Sequence, residues 1–102
     1  MIHIDHGVEK FIQSLEKETI ARVLRSVDLL EAFGPKLGLP HSRRVAVNLY
    51  ELRVRGRQEI RIFYAFLKLD TFLLHGFVKK SQKMPRKELA VALRKQQALT
   101  SS

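Results

Sequence analysis

Three consecutive segments that alternate apolar and polar residues constrain the fold of this chain most. They run over Leu49–Arg55, Ile60–Phe66 and Phe72–Lys79 and are rich in β-branched and aromatic residues, which favour strands. The connections between them, residues 56–58 and 68–70, are short enough to form hairpins. The pattern therefore predicts a three-stranded antiparallel meander.

Successive side chains of a strand point to opposite faces of the sheet, so the pattern also assigns each residue to a face. The apolar face, expected to pack against helices, comprises Tyr50, Leu52, Val54, Ile60, Ile62, Tyr64, Phe66, Phe72, Leu74, Gly76 and Val78. The other face is predicted to be open, and hairpin geometry pairs Arg53 with Arg61, Arg61 with Phe77, and Phe63 with His75. Like charges opposite one another destabilise a sheet, so we expect a polyanion or an acidic partner to cover this face.

The segments on either side of the meander are predicted to be helical. Apolar residues recur at intervals of three and four from Val8 to Phe33, which indicates a short helix, a bend between Ser14 and Glu18, and a longer helix ended by Gly34 and Pro35. A C-terminal helix is expected from Pro85 to about Ala98, lightly docked because its apolar stripe is thin. Residues 35–47 are predicted to form a loop, and residues 99–102 to fray.

The composition indicates one domain with a polyanionic partner. The chain has 102 residues with 19 Lys and Arg against 10 Asp and Glu, a net charge of +9, which points to nucleic acid or an acidic protein. No cysteine is present, so disulfides, thiolate nucleophiles and zinc–thiolate sites are excluded and a cytoplasmic location is expected. The N-terminus does not resemble a secretory signal, and no apolar run suits a membrane span.

Four segments of the chain resemble the phage-related branch of the RelE/HigB toxin superfamily: EAFGPKLGLP, LYELRVRG, IRIFYAF and HGFVKKSQKMPRKELAVAL. The likeness covers about residues 11–98, and the last segment is the most specific. The resemblance implies an α+β fold, in which two N-terminal helices pack on one face of a small antiparallel sheet and a C-terminal helix follows. It also implies an N-terminal edge strand, for which only Met1–Asp5 is available.

The resemblance further implies a function. Proteins of this superfamily are the toxins of type II toxin–antitoxin pairs, and many cut messenger RNA on the translating ribosome without a metal or cofactor. The expected partners are messenger RNA, the ribosome and a cognate antitoxin. The antitoxin is expected to be a helix-turn-helix protein, and operator DNA is expected to be bound only through it. An alternative is a basic RNA- or DNA-binding module of the same fold that has no catalytic activity.

RNA cleavage without a metal needs a base, an acid and stabilisation of charge at the phosphate. The sequence shows no paired carboxylates of catalytic type and no cluster of metal ligands. The candidate catalytic residues are therefore Arg53, Arg61, His75 and Lys79. His75 can exchange protons near neutral pH, or else it merely lines the sheet. Lys79 can act as an acid or base if nearby arginines lower its pKa, or else it contacts a phosphate. Arg61 can clamp a phosphate, or else form an ion pair with Glu51 or Glu59. Which cation moves the proton is left open.

A second group of residues is predicted to bind RNA. Phe63 and Phe77 can stack on a displaced base, or else form a minor cluster under the loop or the C-terminal helix. The cations expected to contact backbone phosphates are Lys80, Lys83, Arg86, Lys87, Arg43 and Arg44. For Arg43 and Arg44, a solvated loop is the alternative.

Overall fold

The computed structural model describes residues 1–101 and has an α+β fold with three helices and a five-stranded mixed sheet. The sheet order is β1-β5-β4-β3-β2, in which β1 is parallel to β5 and the other pairs are antiparallel. The elements are β1 (Ile2–Ile4), α1 (His6–Gln13), α2 (Lys17–Phe33), a short 3-10 helix (Gly34–Lys36), β2 (Ser42–Ala46), β3 (Leu49–Val54), β4 (Ile60–Leu67), β5 (Asp70–Val78) and α3 (Arg86–Thr100).

The predicted meander is present as β3, β4 and β5, and it is the centre of a larger sheet. All three predicted pairings are confirmed: Arg53 with Arg61, Arg61 with Phe77, and Phe63 with His75. The N-terminal edge strand forms over only three residues, beside β5. No helix within residues 1–101 has the length and apolar character needed to span a membrane.

The prediction of a loop over residues 35–47 is wrong for its last part, because Ser42–Ala46 forms strand β2 beside β3. Arg43 lies opposite Glu51 across this pair, so opposite charges face each other. The buried hydroxyls of Ser42 and Tyr64 are hydrogen bonded to each other, which ties β2 to the centre of the sheet. In the sequence, two neighbouring arginines such as Arg43 and Arg44 are typical of an exposed loop, but charged residues are equally typical of an edge strand.

The helices α1 and α2 cover one face of the sheet, as predicted. The break between them falls at residues 14–16, and α2 ends at Gly34, whose positive φ of 52° suits glycine. Val8, Val23 and Leu30 are fully buried against the sheet. A Cβ atom on Gly76 would lie 2.7 Å from Phe11 Cδ2, so this glycine allows α1 to approach β5 closely, as its position in the sequence predicts.

The prediction that the other face of the sheet is open is wrong, because α3 packs across part of it. A second core forms there from buried Leu49, Phe63, Ala65, Leu74, Phe77 and Ala92. α3 continues to Thr100, and Leu99 packs against this second core, so these two residues are not frayed. Ser102 lies outside the described residues.

A β-bulge in β5 changes which side chains share a face. Phe63 pairs with His75, but the next residue of β4, Tyr64, pairs with Leu73, so Leu74 is an extra residue in the ladder. Leu74 and Phe72 therefore face α3, and Leu73 faces α1 and α2, which is the reverse of the predicted assignment. Beyond the bulge, the predicted alternation holds again.

Candidate functional site

A cleft of about 470 Å³ opens where β3 and β5 end and β4 begins, beside the segment that leads to α3. We call it the main cleft. Its lining includes six cationic side chains and only two carboxylates, so it carries a strong positive charge. The charged residues are Arg43, Arg53, Arg55, Arg61, Lys79, Lys80, Glu51 and Glu59, and Ser81, Gln82 and Met84 complete the lining.

A buried ion pair forms the base of the main cleft. Glu51 and Arg61 are 1% and 3% exposed, and Glu51 Oε1 lies 3.8 Å from Arg61 Nε. Arg43 Nη2 and Arg53 Nε lie 3.4 and 4.0 Å from the same oxygen. Arg61 Nη1 also donates a hydrogen bond of 3.0 Å to the carbonyl of Ile60. One carboxylate thus holds three guanidinium groups together.

The two oxygens of Glu51 differ in their contacts. Oε2 is buried and has no hydrogen-bond partner among the described residues, so Glu51 anchors the arginines and offers no accessible oxygen to a ligand. Burial lowers the pKa of the Arg61 guanidinium, and the attraction of Glu51 opposes this effect. The structure thus favours the alternative in which Arg61 forms ion pairs with Glu51 and Glu59, although Arg61 also lines the main cleft.

Glu59 is the more accessible carboxylate of the main cleft, with a side chain that is 38% exposed. Its Oε1 lies 3.6 Å from Arg61 Nη2. Its Oε2 accepts a hydrogen bond of 3.2 Å from the backbone N–H of Gly56, which fixes the carboxylate at the β3–β4 turn. Unlike Glu51, Glu59 is in a position to accept a proton from a bound ligand.

Lys79 projects into the main cleft from the end of β5. Its Nζ donates hydrogen bonds to the carbonyls of Gln82 and Lys83, at 3.4 and 3.2 Å. Its backbone N–H donates to the carbonyl of Glu59 at 2.8 Å. These contacts hold the ammonium group against the segment that connects β5 to α3, on the same side of the molecule as Arg53 and Arg61.

The family model described as Phage derived protein Gp49-like (DUF891) matches residues 10–97. The chain belongs to this Gp49-like family. The match includes every residue that lines the main cleft, whereas β1, the first half of α1 and residues 98–102 lie outside it. No curated protein is significantly similar to this Gp49-like chain.

The predicted catalytic residue His75 does not line the main cleft. Its Nε2 lies 2.7 Å from Oε1 of Glu88 on α3, and its side chain is 21% exposed. The structure therefore brings together Arg53, Arg61 and Lys79 and places His75 at a separate position under α3.

The predicted stacking residues are in the second core. Phe63 and Phe77 are 0% and 5% exposed, and their rings stack on each other at 5.6 Å between centroids. Met84 and Leu89 pack against the same core. This burial favours the alternative in which both rings support the sheet from beneath α3.

The other predicted RNA-binding cations lie in three places. Arg43 and Lys80 line the main cleft. Arg44 is exposed on β2, and its Nε donates to the carbonyl of Ala46 at 3.2 Å. The three remaining cations are exposed near the start of α3 and lie outside the main cleft: Lys83, Arg86 and Lys87.

Sequence reasoning did not identify Glu51, Glu59 and Arg55 as site residues. The sequence does indicate Glu51 and Arg55, because each is two residues from Arg53 and so lies on the same face of the strand. Glu59 precedes β4, where alternation gives no guidance. Within residues 1–101, no group of three or more His, Asp or Glu side chains is placed to hold a metal ion.

Proposed function

We propose that this protein is the toxin of a type II toxin–antitoxin pair of the RelE/HigB superfamily, and that it cleaves messenger RNA at the main cleft without a metal. The observation that best supports this proposal is the main cleft itself, in which six cations surround the buried Glu51–Arg61 pair. RNA is a polyanion, so such a cleft suits its backbone. Membership of the phage-derived Gp49-like family is consistent with a toxin.

The proposed reaction is the attack of a ribose 2′-oxygen on the adjacent phosphorus, with departure of the 5′-oxygen and formation of a 2′,3′-cyclic phosphate. Arg53, the more exposed of the two arginines, contacts the phosphate and stabilises its added negative charge, and Arg61 at the base of the cleft adds positive charge behind it. Glu59 accepts the proton of the 2′-hydroxyl, and Lys79 supplies a proton to the leaving 5′-oxygen. These assignments rest on the positions of the four side chains in the main cleft.

The proposed site of action is the ribosome in the cytoplasm, where cleavage stops translation. The proposed inhibitor is a cognate antitoxin, a helix-turn-helix protein with acidic groups that cover the main cleft. Such a partner would neutralise the crowded arginines and block the RNA at the same time. Operator DNA would be bound through the antitoxin.

The test is cleavage of a messenger RNA by the purified protein, with ribosomes in magnesium buffer and without ribosomes in the presence and absence of a chelator, followed by mapping of new 5′ ends by primer extension. We expect discrete cuts that Arg53→Gln strongly reduces. Lys10→Gln is the matched control, because Lys10 is exposed on α1 and lines no part of the main cleft. Intact messages under all conditions would refute the nuclease proposal.

A second candidate is a basic RNA- or DNA-binding module without catalytic activity. It is favoured by the pairing of Arg61 with Glu51 and by the position of His75 outside the main cleft. Tight binding of RNA by the wild-type protein, without cleavage in the same experiment, would support this candidate over the nuclease.

A further inference from the structure

A second cationic cleft lies between α2 and the end of β3, with a volume of about 570 Å³. We call it the second cleft. Arg22 and Arg25 line it from α2, His41 from the segment before β2, and Arg53 and Arg55 from the end of β3. No carboxylate is present in its lining. The second cleft is therefore a site of uncompensated positive charge on the helix that otherwise serves as scaffold.

Three of the four arginines of the second cleft form no ion pair among the described residues, and Arg53 is the exception, with Glu51 Oε1 at 4.0 Å. Within residues 1–101, no carboxylate oxygen lies within 4.0 Å of a guanidinium nitrogen of Arg22, Arg25 or Arg55. Crowded like charges repel one another and destabilise the folded chain. A bound polyanion would offset this repulsion, which distinguishes the second cleft from a surface where cations and carboxylates alternate.

The second cleft adjoins the main cleft. Arg53 and Arg55 line both, so the two clefts meet at these side chains. The backbone N–H of Arg53 donates to the carbonyl of His41 at 2.8 Å, which joins the wall of the second cleft to β3. Two positively charged clefts thus lie side by side at the end of the sheet.

The Arg22 side chain packs closely over a glycine. A Cβ atom on Gly56 would lie 3.0 Å from Arg22 Cδ and 3.1 Å from Arg22 Nε. These distances are tighter than usual, so a side chain at residue 56 would require Arg22 to shift slightly. Arg22 of α2 thus lies against the β3–β4 turn, near the end of the sheet.

We propose that the second cleft is a phosphodiester-binding subsite for the RNA strand whose scissile phosphate occupies the main cleft. The strand would pass from Lys79 by Arg53 and Arg55 to Arg22 and Arg25. That the bound strand is RNA rests on the proposed function. Arginine binds phosphate through paired N–H donors, and the position beside the main cleft favours an RNA backbone over an acidic protein as the occupant.

The experiment measures binding of fluorescent 2′-O-methyl RNA, which lacks the free 2′-hydroxyl needed for the proposed cleavage. A long oligonucleotide of about twelve nucleotides and a short one of about three are compared. For Arg22→Gln combined with Arg25→Gln, we expect affinity for the long oligonucleotide to fall about tenfold or more, and further than affinity for the short one. The slope of log affinity against log salt should decrease by about 1.4, because two phosphate contacts are lost.

The matched control is Lys10→Gln combined with Arg94→Gln, which removes the same charge from exposed positions outside both clefts. Gly56→Ala is a second test, because it keeps every charge and changes only the space available to the Arg22 side chain. We expect it to weaken binding of the long oligonucleotide, but by less than the two arginine substitutions do. Thermal unfolding curves of all variants establish that they are folded at the temperature of the binding assay.

Two results would overturn the subsite. One is a ratio of long to short affinity that is unchanged by the Arg22 and Arg25 substitutions, and the other is an equal loss in the control variant. Binding of an acidic peptide that depends on Arg22 and Arg25, with RNA binding unaffected, would likewise assign the second cleft to a protein partner. The proposed function can fail separately, since a wild-type protein that shows the expected RNA binding but no cleavage refutes the nuclease and leaves the subsite intact.

Discussion

The carboxylate of Glu51 and the guanidinium of Arg61 form a buried ion pair at the base of the main cleft, with Oε1 and Nε 3.8 Å apart. Burying two charges is costly, and the attraction between them offsets that cost only while both are present. Arg43 and Arg53 lie within 4.0 Å of the same oxygen. Glu51 therefore makes it possible for several arginines to converge on one cleft.

Removal of Glu51 should destabilise the protein strongly. Glu51→Ala removes the buried partner of Arg61 and leaves it only the more exposed Glu59, and we expect the free energy of unfolding to fall by about 3 to 5 kcal/mol. Glu51→Gln should cost less, because its amide oxygen still accepts a hydrogen bond. Urea unfolding measures both effects. Glu31→Ala is the control, since Glu31 is exposed on α2, and its change should stay within about 0.5 kcal/mol. Equal stability of Glu51→Ala and wild type would show that the pair does not support the fold.

Lys79 and His75 should differ in their importance for cleavage. Lys79 lines the main cleft, whereas His75 lies outside it and pairs with Glu88. We expect Lys79→Met to lower the cleavage rate at saturating RNA by about 10² to 10⁴-fold, the range of general acid–base catalysis. His75→Gln should lower it by less than about tenfold, below that range.

Single-turnover measurements with excess protein separate this loss from weaker binding. Lys80→Met is the matched comparison, because Lys80 also lines the main cleft but has no assigned proton-transfer role. It should raise the protein concentration needed for half-maximal rate and leave the maximal rate near that of wild type. A larger loss of maximal rate in His75→Gln than in Lys79→Met would assign proton transfer to the histidine.

The packing of Leu74 under α3 predicts a large difference in stability between two leucine substitutions. Leu74 is 4% exposed in the second core, and Leu69 is 96% exposed in the β4–β5 turn. Leu74→Ala should lower the free energy of unfolding by about 2 to 5 kcal/mol, because a cavity forms under α3. Leu69→Ala should change it by less than about 0.5 kcal/mol. Urea unfolding of both variants checks this, and similar values for the two would be inconsistent with the observed packing of Leu74.

The sequence was sufficient to predict β3, β4 and β5 and their pairing, because short connections fix the register of hairpin-linked strands. It could not reveal the bulge. Phe72, Leu73 and Leu74 are all apolar, so the sequence does not indicate where the alternation shifts by one residue. Strand β2 was missed because Ser42–Ala46 shows no clear alternation, and its pairing with β3 depends on tertiary contacts.

The candidate site was only partly predictable for a related reason. Alternation correctly places Arg53, Arg61 and Lys79 on one face, but it contains no information about how α3 crosses that face. The thin apolar stripe of α3 suggests weak docking, whereas Leu89 and Leu93 pack against the second core. The position of α3 separates His75 from the main cleft and buries Phe77, and only the three-dimensional packing shows this.

The contact between Asp5 and Lys95 predicts a change in acid stability. Asp5 Oδ2 accepts hydrogen bonds from Lys95 Nζ at 2.7 Å and from the backbone N–H of Gly7 at 2.9 Å. Burial would raise the pKa of the Asp5 carboxyl, but these hydrogen bonds outweigh it and hold the pKa below its ordinary value. A group with a lowered pKa in the folded state stabilises the protein above its unfolded pKa, and that contribution disappears as the pH falls through the folded pKa.

Asp5→Asn keeps an oxygen for the Gly7 N–H and removes the charge that attracts Lys95. Both side chains are about one-third exposed, so solvent screens the pair, and we expect a loss of about 0.5 to 1 kcal/mol at pH 7. The difference between wild type and variant should shrink as the pH falls below about 3.9, the ordinary value for aspartate. Asp70, whose pKa is lowered by a hydrogen bond from His3, titrates in both proteins, so its contribution cancels in the difference. Urea unfolding from pH 7 downward measures this, and a difference that stays constant in acid would show that Asp5 titrates equally in the folded and unfolded chains.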